Sequence, residues 1–177
     1  MKELFEQIER LAEVEGKAAL ATLVNTSGTT PRKEGAKMLV GAGGQILGSV
    51  TIGGCVDARV IEESEGVLGR DTPKLLALSL GDEEAWEIGL TCGGTIEVFV
   101  EPLAFDRRGD PAIGLYERLR AHTERGGRGA LVTRIDPPHD GAKLMVLDSG
   151  EVSGTLGDPL LDQRFTAEAQ GILEHGA

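Results

Sequence analysis

Gly35-Ala36-Lys37-Met38-Leu39-Val40 reappears later in the chain as Gly141-Ala142-Lys143-Leu144-Met145-Val146. In each, a turn glycine leads into a short run of lysine and apolar residues, the pattern of a buried strand. Upstream, Ala19-Leu20-Ala21-Thr22 is matched by Ala130-Leu131-Val132-Thr133. Downstream, Asp57, Arg59, Glu63, Gly66 and Leu68 line up with Asp162, Arg164, Glu168, Gly171 and Leu173. The offset falls from 111 (Ala19 to Ala130) to 106 (Gly35 to Gly141) to 105 (Asp57 to Asp162). The first copy therefore carries extra residues in two loops. One is Asn25 to Glu34, which contains Thr30-Pro31-Arg32; the other is Thr51-Ile52-Gly53-Gly54-Cys55. Residues common to both copies read as scaffold, and features of one copy only are the better candidates for chemistry.

The pattern around these stretches predicts an α/β fold, a mixed sheet covered by helices, with an internal pseudo-repeat of a helix–three-strand–helix unit. Leu4, Ile8, Leu11, Ala12 and Val14 predict a first helix ending at Gly16. Strands are expected at Ala18 to Val24, Met38 to Val40 and Ile46 to Val50, then a helix from Val56 to Leu68 stopped by Gly69. Lys74 to Leu80 and Thr95 to Val100 follow as strands, with Pro102 closing the segment. A helix at Pro111 to Thr123 opens the second copy, followed by strands at Ala130 to Ile135, Leu144 to Leu147 and Val152 to Leu156. A last helix runs from Pro159 to Glu174. Mixed strand directions are expected. Residues 1–106 form one unit and 107–177 a degenerate second copy packed on it, with Arg107-Arg108-Gly109-Asp110 as the junction.

The net charge of −11 excludes nucleic acid as the main partner, since a phosphate backbone wants a basic stripe. The N-terminus is acidic and amphipathic, and no stretch is long and apolar enough to span a bilayer. These features predict a cytoplasmic protein with both cysteines reduced.

Three stretches could carry chemistry. Gly53-Gly54-Cys55 precedes a helix, whose N-terminus together with glycine backbone amides makes a generic anion cradle. Cys55 there reads two ways: a small buried thiol in a tight turn, or a thiolate favoured by the helix dipole. Thr29-Thr30-Pro31-Arg32-Lys33 stiffens a loop around Arg32, which suits bidentate phosphate or carboxylate binding. An exposed arginine doing little is the alternative. Cys92-Gly93-Gly94 forms a second cysteine–glycine turn, either sharing a ligand with the first or unrelated to it. His122, His139 and His175 read as solvent-facing. The two cysteines and three histidines have no zinc spacing, and no Walker loop, dinucleotide fingerprint or serine hydrolase elbow occurs.

Pro31-Arg32, Gly35-Ala36-Lys37-Met38-Leu39-Val40, Gly48-Ser49-Val50, Gly53-Gly54-Cys55-Val56 and Cys92-Gly93-Gly94-Thr95-Ile96 occur in the order seen in the XdhC/CoxI family, which the first hundred residues resemble. Its members are accessory proteins of molybdenum hydroxylases. The resemblance implies a chaperone rather than a turnover enzyme, one that binds molybdenum cofactor (molybdopterin) as cargo and assists its sulfuration and insertion. It implies as partners an apo-molybdenum hydroxylase of the xanthine, aldehyde or CO dehydrogenase type and a cysteine desulfurase. By position it implies Arg32, Gly53, Gly54, Cys55, Cys92, Gly93 and Gly94 as cofactor-binding residues, with Cys55 as the metal contact. Many members add a C-terminal dinucleotide-binding-like domain. Its fingerprint is missing here, which leaves either a separate chain that supplies that module or a member that does only part of the task, with the second copy expected in its place. A homodimer is left open by exposed strand edges. The alternative reading is an adaptor or regulatory subunit that docks on a hydroxylase complex without holding cofactor. A thiol enzyme using Cys55 would lack an identifiable base.

Overall fold

Strands β2 (Lys37–Gly41) and β7 (Lys143–Leu147) are apolar on both faces and buried on both, so each needs neighbours above, below and alongside. The computed structural model, which describes residues 5–175 apart from positions 7, 9, 12, 13, 15, 29, 31, 80–93, 108 and 139, supplies them in two compact units. One unit is Glu6–Asp106; the other is Arg107–Ala177 with Met1–Phe5.

In the first unit, β2 lies between β1 (Lys17–Gly28) and β3 (Ile46–Gly48), and β5 (Gly94–Ala104) and β4 (Lys74–Ser79) complete the order β3-β2-β1-β5-β4. Helix α1 (Cys55–Arg70) turns Val56, Val60 and Val67 onto one sheet face, against Ala19, Ala21, Met38, Val40 and Val98. Each buried valine contributes on the order of 1.5 kcal/mol. The opposite face, including Leu20, Leu39, Phe99 and Leu103, is buried as well. Ile8 and Leu11 are helical and buried, and Gly16 follows in a bend.

In the second unit, β7 lies between β6 (Gly129–Thr133) and β8 (Val152–Gly154). Helix α2 (Pro111–Glu124) is started by Asp110, whose carboxylate accepts from the N–H of Ala112 at 2.9 Å and Ile113 at 3.2 Å. It buries Leu115, Tyr116 and Leu119. Helix α3 (Pro159–His175) buries Ala169 and Leu173 against Leu144, Val146 and Leu156.

The expected α/β architecture, with helices covering sheet, is observed. The strand directions differ from expectation: every pairing among the described residues is antiparallel. The crossover through α1 does carry the chain from β3 to β4 in the same direction. It delivers β4 to the far edge, however, so the two strands never pair. Other differences lie at element ends. β1 continues past Val24 to Gly28, because after a register shift between Leu23 and Asn25 its polar residues still pair with Gly94 to Glu97. β5 runs through Pro102 rather than stopping there. β4 begins with Lys74 opposite Val100, so past Val100 that side of β5 has no ladder to lose. Gly69 stays helical, and Asp71 takes the left-handed conformation that ends α1 (φ 54°). Leu80 lies outside the described residues. His122 does not face solvent as expected: its Nε2 lies 2.6 Å from Asp148 Oδ1. His139 lies outside the described residues.

Two local contacts recur in both units. Lys37 Nζ donates to Thr22 Oγ1, and Lys143 Nζ to Thr133 Oγ1, both at 2.9 Å. Gly48 passes over the Lys37 carbonyl, and Gly154 over that of Lys143.

Candidate functional site

Register places one end of the first sheet. There β1 ends at Gly28, β2 begins at Lys37, β3 ends at Gly48, β4 ends at Ser79 and β5 begins at Gly94. The Arg32 loop leaves β1 at this end, and the Ser49–Gly54 loop leaves β3 there to enter α1.

The two loops meet. Arg32 is exposed, and its Nε donates to the Thr51 carbonyl at 2.6 Å. The Thr30 hydroxyl donates to the Arg32 carbonyl at 2.9 Å, which tightens the bend. Among the described residues no carboxylate pairs with Arg32. Pro31 and Thr29 lie outside the described residues.

The Ser49–Gly54 loop is organised from beneath by Asp57, which is 7% exposed. Its carboxylate accepts from the Thr51 N–H at 3.1 Å, the Thr51 hydroxyl at 2.9 Å, the Gly53 N–H at 3.0 Å and the Ser49 hydroxyl. Gly53 (φ 97°) and Gly54 (φ 91°) are exposed and hold backbone that other residues rarely adopt. Gly54 is the N-cap of α1 and makes no side-chain cap; Cys55 is the first helical residue.

This geometry revises the anion-cradle reading. The Thr51 and Gly53 N–H groups are already donated to Asp57, and a carboxylate in the first turn offsets the positive end of the helix dipole. Those two amides are therefore not open to an anion, which leaves the uncapped helix start after Gly54 and the guanidinium beside it. In the sequence Asp57 reads as a first-turn helix acid shared with Asp162. The signal for its larger role is the pair of hydroxyls, Ser49 and Thr51, shortly before a first-turn aspartate.

The second unit makes the same kind of loop. Asp162 accepts from the Leu156 N–H at 2.6 Å and the Thr155 hydroxyl at 2.7 Å. Arg134 Nη1 donates to the Leu156 carbonyl at 3.1 Å. An arginine on the loop carbonyl is thus not confined to the first unit, contrary to what the sequence alignment of the two copies suggests. Two features do differ. Arg134 is closed by Asp136, which accepts from its Nε and Nη2, each at 3.0 Å. The start of α3 carries its own carboxylate, Asp158, which accepts from the Leu160 N–H at 2.8 Å. In the second unit the arginine is paired with a carboxylate and the helix start is capped by one; in the first, among the described residues, neither is.

Of the other predicted site residues, Cys92 and Gly93 lie outside the described residues. Gly94 begins β5 opposite Gly28, where a Cβ would sit 2.4 Å from the Ser27 carbonyl oxygen. Gly94 is therefore at the same sheet end as Arg32, in a position that close backbone approach reserves for glycine. Among the described residues, no group of three or more His, Cys, Asp or Glu is arranged to hold a metal ion, and no helix is long and apolar enough to cross a membrane.

Comparison with known proteins places these residues among relatives. A probable xanthine dehydrogenase subunit of Bacillus subtilis (strain 168) is 28% identical over 161 residues, 90% of this chain and 46% of that protein. The molybdenum cofactor insertion chaperone PaoD of Escherichia coli (strain K12) is 32% identical over 122 residues, 68% of this chain and 36% of that protein. The crystal structure of a xanthine dehydrogenase from Bacillus halodurans superposes with a TM-score of 0.69 at 25% identity, over 90% of this chain and 47% of that one. The chain spans less than half the length of each. That structural likeness reaches into the second unit, which is therefore shared and does not stand in for the remainder of the longer protein. Residues 11–79, which hold Arg32, Gly53, Gly54 and Cys55, match the XdhC and CoxI family, and this part of the chain is a domain of that family.

Proposed function

We propose that the protein is a molybdenum-cofactor chaperone: it holds the cofactor at the Arg32 and Gly53-Gly54-Cys55 loops and assists its sulfuration and insertion into an apo-molybdenum hydroxylase. One observation carries the reading. The exposed Arg32 lies on the Thr51 carbonyl, beside a helix start without a side-chain cap, inside the family-matched segment. The name of the relative PaoD, an insertion chaperone for this cofactor, supports the same reading.

The residues fit such cargo. An anionic phosphate suits a guanidinium with no carboxylate on it among the described residues, while a thiol at position 55 suits a soft metal. The Thr51 and Gly53 amides do not serve, since Asp57 holds them. Gly94 belongs to the same end of the sheet, and the resemblance adds Cys92 and Gly93, next to it in the sequence, to the proposed site. In this reading the two units are variants of one module, the first open and the second closed by Asp136 and Asp158. A cysteine desulfurase is the partner that sulfuration requires.

Purification from cofactor-making cells, followed by assay of released pterin fluorescence and of molybdenum, tests the proposal. Wild-type protein is expected to carry both, and Arg32→Ala and Cys55→Ala to carry less. A wild-type protein that stays empty when purified cofactor is added overturns it. Capture of the hydroxylase that survives the Arg32→Ala, Cys55→Ala double variant, with hydroxylase activity unimpaired, would favour an adaptor instead.

A further inference from the structure

Ile52 is 71% exposed. Isolated apolar side chains on surfaces are ordinary, so exposure alone carries nothing. What separates Ile52 is how its backbone is held. Before it, the Thr51 N–H and hydroxyl reach Asp57; after it, the Gly53 N–H reaches the same carboxylate. The Thr51 hydroxyl also contacts the Gly53 carbonyl at 3.2 Å. The carbonyl gripped by Arg32 belongs to the Thr51–Ile52 peptide itself. An apolar side chain is thus presented to solvent on backbone fixed from both sides, so little ordering entropy remains to be lost when something packs on it. At the same distance ahead of Asp162 the second unit has Gly157, which presents no side chain.

A guanidinium with no carboxylate on it among the described residues and an exposed apolar side chain on a fixed peptide suit a particular chemistry: a ring system that carries a phosphate. We propose that Ile52 packs on the ring system of such a ligand while Arg32 takes its phosphate, so that Ile52 is a specificity-determining residue of the cofactor site. This rests on the cofactor-binding reading above. Arg32 alone would accept any phosphate, and Ile52 supplies the preference for one joined to a ring.

The test is a fluorescence titration of the full chain with purified molybdopterin, and competition by inorganic phosphate. Ile52→Ala is expected to weaken molybdopterin binding about tenfold, the effect of losing one apolar contact, and Ile52→Leu to restore most of it. The competition constant for inorganic phosphate should be the same in wild type and Ile52→Ala. Equal molybdopterin affinity in wild type and Ile52→Ala overturns the role. So does a parallel loss of phosphate binding, which would mark collapse of the loop, or loss of hydroxylase capture alone, which would mark a protein-docking residue. Failure of wild type to bind molybdopterin removes the cofactor reading, whereas wild-type binding with an indifferent Ile52→Ala removes only this inference.

Discussion

Arg32 donates through Nε to the Thr51 carbonyl at 2.6 Å, and no carboxylate accompanies it among the described residues. Arg134 reaches the corresponding Leu156 carbonyl through Nη1, but its Nε and Nη2 are held by Asp136, and its side chain is 14% exposed. The Asp136 hydrogen bonds come first among the causes that hold the Arg134 guanidinium above its ordinary pKa. Scanning calorimetry should therefore find that Arg134→Ala lowers Tm more than Arg32→Ala does. The reverse order would mean that Arg32 is principally a structural clamp.

Asp57 serves four donors and Asp162 two. Removing a shared acceptor leaves buried donors without partners, at about 1–3 kcal/mol for a donor left dry. Urea unfolding is expected to show Asp57→Ala destabilised by about 3 kcal/mol and Asp162→Ala by less. Equal losses would argue that the Ser49–Gly54 loop is held mainly by something else.

Asp158 caps α3 through the Leu160 N–H at 2.8 Å. Asp158→Ala should cost about 1 kcal/mol, the usual worth of an N-cap, and leave cofactor content untouched. A drop in bound pterin without a matching drop in stability would give the second unit a share in the site.

Asp148 sits beside the His122 ring and also accepts from the Arg128 N–H at 2.7 Å; the His122 bond, then the Arg128 one, hold its carboxyl below the ordinary aspartate value. A carboxylate lowered on folding adds stability above its unfolded value of about 4 and loses it as pH falls through the folded value. Tm of wild type and of Asp148→Asn should therefore differ above about pH 4 and converge in stronger acid. A gap that grows on acidification contradicts this account.

Much of the fold is legible wherever burial writes a simple pattern. The lysine-led apolar runs at Lys37 and Lys143 mark the strands that end up flanked on both sides, and the order of helices and strands follows from the same signals. Asn25 to Gly28 is unreadable as strand, because its conformation comes from pairing with β5 across a register shift and not from its own polar side chains. Pro102 misleads for the opposite reason: it obeys a rule about ladders at a place where one ladder has already ended. At the candidate site, the Gly-Gly-Cys turn and Arg32 stand out in the sequence, yet their contact does not. The arginine of the second unit is hidden as well. Arg134 reaches its carbonyl from a shorter loop, so it does not align with Arg32 although it meets the corresponding carbonyl. Asp57 reads as an ordinary first-turn acid until the four groups it gathers are seen together.

The contrast between Gly54 and Asp158 gives the molecule an internal blank. Among the described residues one helix entrance is stoppered by a side chain and its counterpart is not, within a single polypeptide and under identical solvent conditions. Any ligand that needs a bare helix entrance will mark the first unit alone, whereas in Asp158→Ala an indiscriminate one will mark both and a true occupant will still mark only the first.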